Sequence, residues 1–149
     1  MKVLVDTSIW SLALRRSAPC SSEEKILVDE LHELINQTRA VMIGPIRQEV
    51  LSGISDKGQF ADLKEKLQAF DDLPLAKKDY EKAAEFFNTC RGAGIQGSQI
   101  DFLICAAAVG AGLPIFTSDK DFLLYSRRLQ ISLLRPLEPQ EKPQVIDSG

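Results

Sequence analysis

Histidine is all but missing from this sequence: His32 stands alone among 149 residues, inside a stretch with helical apolar spacing. A single imidazole excludes a histidine-rich zinc site. Any Ser-His-Asp triad or Cys-His pair would have to be built on His32, and nothing near it supports one. Cysteine is scarce as well. Cys20, Cys90 and Cys105 are odd in number and show no CxxC or Cys/His spacing, so reduced thiols are expected, with Cys105 in a core segment. No apolar run approaches the roughly 20 residues that cross a bilayer. The one at the N-terminus is cut short by Asp6, too early for a secretory signal. A cytoplasmic protein with no membrane partner is therefore expected. An excess of basic charge is also lacking. The net charge of −3 argues against a generally cationic nucleic-acid surface, unless carboxylates are gathered around a bound cation that reverses the local sign.

What is present is an ordinary folding composition, 44% hydrophobic and 26% charged. A chain of this length buries roughly 70% of its unfolded surface and needs no disulfide or structural metal. Residues 2–5 form a short β-branched run, read as a buried strand. Residues 7–16 suit a short helix carrying Ile9, Trp10, Leu12 and Leu14, and a loop with Pro19 follows. Ser21 and Glu24 make a capping box for a helix to about residue 37. Residues 40–43 read as a second strand, which Gly44-Pro45 ends while starting a helix. Further helices are expected over 60–70, over 79–91 with Tyr80, Ala83, Ala84 and Phe87 facing inward, and over 99–111 behind the N-cap Ser98. Leu73-Pro74-Leu75 suggests a third strand, 114–117 another, 122–128 a short helix and 131–134 a last strand. Strands alternating with helices predict an α/β fold, a three-layer α/β/α sandwich with a largely parallel central sheet. The folded unit is expected over 1–135, with 136–149, rich in Pro, Glu and Gln, as a mobile tail.

In such folds ligands bind beyond the carboxyl ends of the strands, and four carboxylates fall there. Asp6 follows the first strand, and Glu49 lies on the helix after the second. Asp101 sits in the first turn of the most apolar helix, and Asp119 follows the strand at 114–117. Each alone has an ordinary explanation: strand-end cap, solvated helix residue, helix-dipole partner, turn former. Together they repel, by roughly 4 kcal/mol for two charges about 4 Å apart at an effective dielectric of 20. They must then hold protons or a cation. All-oxygen ligands without histidine or thiolate favour Mg²⁺, or Mn²⁺. One or two such ions can activate a water and stabilise the leaving oxygen of a phosphodiester. Thr7 and Ser8 are placed to orient a water or phosphate, and Thr117 to orient a carboxylate.

Four segments carry a resemblance: Val5-Asp6-Thr7-Ser8, Pro45-Ile46-Arg47-Gln48-Glu49-Val50, the run from Asp101 to Ala108, and Thr117-Ser118-Asp119-Lys120-Asp121-Phe122. In this order and spacing they resemble the successive motifs of PIN-domain nucleases, most closely the VapC-type toxins of toxin–antitoxin systems. The resemblance implies a PIN fold and Mg²⁺- or Mn²⁺-dependent cleavage of RNA. It also implies a homodimer and neutralisation by a cognate antitoxin protein. Asp6 and Asp101 then correspond to the principal metal ligands, with Glu49 and Asp119 completing the catalytic set. Asp121, two residues further on, competes with Asp119; the latter is nearer the strand, and Asp121 is expected to cap the short helix. Arg15, Arg16, Arg47, Lys120, Arg127 and Arg128 are candidate phosphate contacts, and the aromatic helices around Trp10, Phe60 and Phe70 suggest a groove for an antitoxin helix. Two other readings stay open: a PIN nuclease of RNA processing or DNA handling that is not a toxin, and a non-catalytic PIN-like binding module. A phosphoacceptor signalling domain is disfavoured, because neither Asp6-Thr7-Ser8 nor the residues after Pro74 supply its acidic pair and lone aspartate.

Overall fold

The computed structural model describes residues 1–14 and 21–135. The expected mobile tail, the loop with Pro19, Cys20, Arg15 and Arg16 lie outside the described residues. Three strands, β1 (Val3–Val5), β2 (Ala40–Val41) and β3 (Ile115–Phe116), form a parallel sheet in the order β2-β1-β3. Leu4 pairs with Val41 on one side and with Ile115 on the other. Val3, Leu4 and Val5 are all fully buried. Successive strand residues point to opposite faces, so both faces of the sheet are covered and the expected sandwich is formed. The chain crosses from β1 to β2 and then back over β1 to β3, which makes the carboxyl ends of β1 and β3 the reversal point of the fold.

Local chemistry explains the helices. α1 (Thr7–Leu14) buries Ile9, Trp10 and Leu12. Ser21 caps α2 (Ser22–Asn36) by accepting from the Glu24 N–H, and Val28, Leu31 and Leu34 form its buried stripe. Pro45 sits in the first turn of α3 (Gly44–Leu51). α4 (Lys57–Leu67) starts three residues earlier than expected, because the Asp56 carboxylate caps it through the Gln59 N–H. α6 (Gln99–Ala111) is capped by Ser98 and buries seven consecutive residues, Phe102 to Ala108. Burial all round marks a helix enclosed by its neighbours, and α5 (Lys77–Gly92) is packed along it. Gly112, at φ +67°, closes α6 in the left-handed conformation that glycine adopts without strain. The short α7 (Asp121–Tyr125) follows β3 and buries Phe122 and Tyr125. No helix among the described residues is long and apolar enough to cross a membrane.

Several expectations need correction. Leu73-Pro74-Leu75 is not a strand: only Asp72 bridges to Met42, with the Leu73 N–H bonded to the Met42 carbonyl, and Pro74 has no N–H to continue the ladder. Residues 131–134 likewise make a single bridge, Leu133 to Ile115, because β3 is too short to pair further. Tyr80 and Ala84 do not face the core. They line an open groove of about 440 Å³ between α5 and α6, together with Ala83, Phe87, Ile100 and Leu103; Ala83 and Cys90 are the buried residues of α5. Trp10 is wholly buried, its indole N–H bonded to the Val5 carbonyl and its ring set edge-on to Phe70. It is spent on the core and is not available to line a groove.

Candidate active site

β1 delivers Asp6 to the reversal point, and its backbone N–H is tied to the Phe116 carbonyl at the end of β3 (2.8 Å). Two side chains fix its carboxylate. The Ser8 and Thr117 hydroxyls both donate to Oδ2 at 2.8 Å, and the Ser8 N–H approaches the same oxygen at 3.4 Å. Among the described residues Asp6 is the buried polar one, 4% exposed, so these charge-assisted bonds, worth about 1.5–3 kcal/mol each, offset its desolvation. Among the described residues Oδ1 accepts nothing. Asp6 therefore does part of the ordinary work of a strand-end cap with one oxygen, and among the described residues the other takes no part in it.

Thr117 links the Asp6 carboxylate to the backbone of Asp119. Its hydroxyl oxygen also accepts the Asp119 N–H at 3.0 Å, while the Ser118 N–H bonds the Ser8 hydroxyl at 3.0 Å. The strand-end residues 6–8 and 117–119 are thus sewn into one unit. Asp119 Oδ1 accepts the Asp121 N–H at 2.9 Å and starts α7. This corrects the expected division of labour: Asp119, not Asp121, supports the helix start, and Asp121 is an exposed residue within the helix.

Asp101 enters from α6. Its N–H is capped by Ser98 at 3.0 Å, and its Oδ2 accepts the Tyr125 hydroxyl at 2.6 Å. Burial, first, lifts its pKa above the usual aspartate value; the hydrogen bonds from Tyr125 and Ser98 pull it down, and the charges of Asp6 and Asp119 push it up. Those two repulsions put Asp101 within electrostatic reach of Asp6 and of Asp119. One turn along α6, the Cys105 thiol is pushed far up by burial and then by Asp101, Cys90 and Asp6, which makes it inert. Tyr125 is also raised far above the usual phenol value, by burial and by its bond to Asp101, and remains a donor.

Glu49 is more peripheral. It lies half-buried on α3, and its Oε1 accepts the Thr7 hydroxyl at 2.7 Å. Of the four acids expected at this edge, Asp6 and Asp119 are linked through Thr117, Asp101 is held by Tyr125 and Ser98, and Glu49 is held by Thr7. Sequence reasoning placed Thr7, Ser8 and Thr117 beside the carboxylates but missed Tyr125, which stands 24 residues from Asp101 in an apolar helix. Arg47 is removed from the phosphate candidates. Its guanidinium bonds Asp72 at 2.8 Å and the Leu67 and Phe70 carbonyls, pinning the end of α4 to α3. Lys120, Arg127 and Arg128 remain exposed near α7.

Among the described residues, no group of three or more Asp, Glu, His or Cys side chains is arranged to hold a metal ion by itself. The donors at this edge are all carboxylate and hydroxyl oxygens. That chemistry fits a hard cation that keeps several waters and takes one or two carboxylates directly, and does not fit a dry protein cage.

The sequence matches the family model of the PIN domain over residues 3–127. No curated protein matches it. Among solved structures, FitAcB from Neisseria gonorrhoeae superposes with a TM-score of 0.70 at 19% identity, covering 90% of this chain and 97% of that one. VapBC2 from Rickettsia felis, bound to a DNA fragment from its promoter, gives 0.69 at 14% identity over 90% and 98% of the two chains. VapBC-5 from Mycobacterium tuberculosis, a member of the VapBC family of toxin–antitoxin systems, gives 0.64 at 17% identity, also over 90% and 98%. At these identities the likeness is one of fold.

Proposed function

The chain belongs to the PIN-domain family, and from that premise we propose that it is a metal-dependent endoribonuclease, the toxin of a toxin–antitoxin pair. The observation that supports this reading is that Asp6, Asp101 and Asp119 each have a carboxylate held by a donor, and that the charges of Asp6 and Asp119 act on Asp101.

Asp6 through Oδ1 and Asp101 through its Oδ1 are the groups that would hold Mg²⁺ or Mn²⁺, with Asp119 and Glu49 acting directly or through water. When bound, the cation lowers the pKa of a water and stabilises charge on the phosphate and the leaving oxygen. The chain's own residues supply orientation. Ser8 and Thr117 hold Asp6 in one rotamer, and Thr7 holds Glu49 toward the site. Glu49 and Asp119 are the acceptors placed to take the proton of the attacking water. Lys120, Arg127 and Arg128, exposed in and around α7, are the cations proposed for phosphate contacts to the RNA. A cognate antitoxin protein and a second copy of the chain are the proposed partners; structures that share the fold include VapBC toxin–antitoxin proteins.

The test is cleavage of RNA and of matched DNA with Mg²⁺, with Mn²⁺ and with chelator, for wild type and Asp101→Asn. RNA cleavage that needs metal and Asp101 supports the reading; activity that survives chelation and Asp101→Asn overturns it. Growth arrest on expression, relieved by co-expressing an adjacent small gene, tests the toxin assignment.

A further inference from the structure

Tyr125 is wholly buried at the end of α7. Its ring is wedged between Phe102 (centroids 4.8 Å apart) and Phe122 (5.1 Å), so its hydroxyl has one direction to point. That direction is Asp101 Oδ2, at 2.6 Å, the side chain's hydrogen-bond partner among the described residues. Phenylalanine would pack the same space and would need no acceptor. The hydroxyl also imposes a condition on the loop before α6. A Cβ added to Gly97 would fall 2.8 Å from Tyr125 Cε1 and Cζ and closer still to the hydroxyl. Gly97 does not adopt a left-handed φ, so its backbone does not call for glycine; the space taken by Tyr125 does.

Resting on the metal-dependent reading above, we propose that Tyr125, seated against Gly97, is a positioning residue that fixes the Asp101 carboxylate for the cation. With Oδ2 engaged, the carboxylate cannot swing toward Asp6 or into solvent, and Oδ1 is presented at a set angle. Ser98, the N-cap of α6, is the other hydrogen-bond partner of Asp101, and the Tyr125 bond at 2.6 Å is the one that reaches the carboxylate from outside its own helix. Partners of this kind, behind a ligand, typically change metal affinity or activity by about 10–100-fold.

The experiment is Mn²⁺ binding by titration calorimetry or by Mn²⁺ electron paramagnetic resonance on wild type, Tyr125→Phe, Gly97→Ala and the double variant. RNA cleavage is followed as a function of Mn²⁺, and the melting temperature of each metal-free protein is recorded. The expected result for Tyr125→Phe is weaker Mn²⁺ binding by about 10–100-fold, an unchanged KM for RNA, and cleavage restored by raising Mn²⁺. Gly97→Ala, which displaces the hydroxyl, should behave alike, and the double variant should lose little more than either single one, since both break the same bond. Wild type that binds Mn²⁺ with Tyr125→Phe binding equally well overturns the proposal and leaves the metal reading intact. Wild type that binds no Mn²⁺ overturns both. Loss of activity that excess Mn²⁺ does not restore, with a lowered melting temperature, assigns Tyr125 to packing and also overturns it.

Discussion

The two central aspartates are held in opposite ways. Asp6 is fixed from nearby: Ser8 is two residues away, and Thr117 ends the neighbouring strand. Three donors share one of its oxygens, and the same hydroxyls tie down the backbone at Ser118 and Asp119. Asp101 stands on a buried helix and is held by a distant phenol, with its own N-cap Ser98 as the local partner. The first arrangement gathers donors from two adjoining strand ends, and the second depends on one long-range bond from α7. The strand-end support should degrade gradually when one member is removed, and loss of the long-range bond should be felt at once.

The largest expected effect is on the carboxylates themselves. Asp6→Asn and Asp101→Asn should each lower kcat/KM for RNA by at least about a thousandfold, since the cation's contribution is several kcal/mol and each 1.36 kcal/mol is tenfold; single-turnover assays at saturating Mg²⁺ check this. If either variant retains more than a tenth of the activity, that aspartate is not a principal ligand. Next in size is Thr117→Val, which removes a donor to Asp6 and an acceptor for the Asp119 N–H at constant shape. It should weaken the half-saturating Mg²⁺ concentration by about tenfold and destabilise the fold by about 1–3 kcal/mol, read by metal-dependent kinetics and urea unfolding. Ser8→Ala should cost less than Thr117→Val, because Thr117 still holds Oδ2. A Ser8→Ala effect as large as that of Thr117→Val would show that the support of Asp6 is not redundant.

Thr7→Val should matter less again, a few-fold in kcat, because Glu49 lies at the rim. The smallest effect concerns pH and stability. Burial raises the Asp101 pKa in the fold, so the folded chain binds that proton more tightly than the unfolded chain does. The stability tied to this proton is present at low pH and is lost as pH rises through the shifted pKa. Metal-free Asp101→Asn should therefore melt slightly higher than wild type at neutral pH, and the gain should vanish below about pH 4, where both states of wild type are protonated. Divalent metal should narrow the gap by stabilising wild type alone. Differential scanning calorimetry across pH measures both.

The same contrast marks what could be read from the sequence. Of the supports of Asp6, Thr117 was legible as a carboxylate partner because it adjoins a strand end and a parallel sheet brings strand ends together; Ser8 was legible only as a neighbour, expected to orient a water or phosphate, whereas its hydroxyl bonds Asp6. Ser21 and Ser98 were legible as caps for a similar reason, since capping is local. Tyr125 was not: apolar periodicity assigns it to a core, and nothing local shows that its hydroxyl meets Asp101. The inward face assigned to α5 failed for Tyr80 because a periodic stripe identifies the apolar side of a helix but not how much of it the neighbouring helix covers. Pro74 could have warned against the third strand, as a missing N–H ends pairing wherever the sheet edge falls.

The central claim is that Asp6 and Asp101 share a divalent cation at the carboxyl ends of β1 and β3. Anomalous diffraction from crystals soaked in Mn²⁺ tests it most directly. The account predicts a peak about 2.1 Å from Oδ1 of each aspartate in wild type, weakened in Tyr125→Phe and lost in Asp101→Asn. A well-occupied peak that touches neither aspartate, or one that persists unchanged in Asp101→Asn, would contradict it.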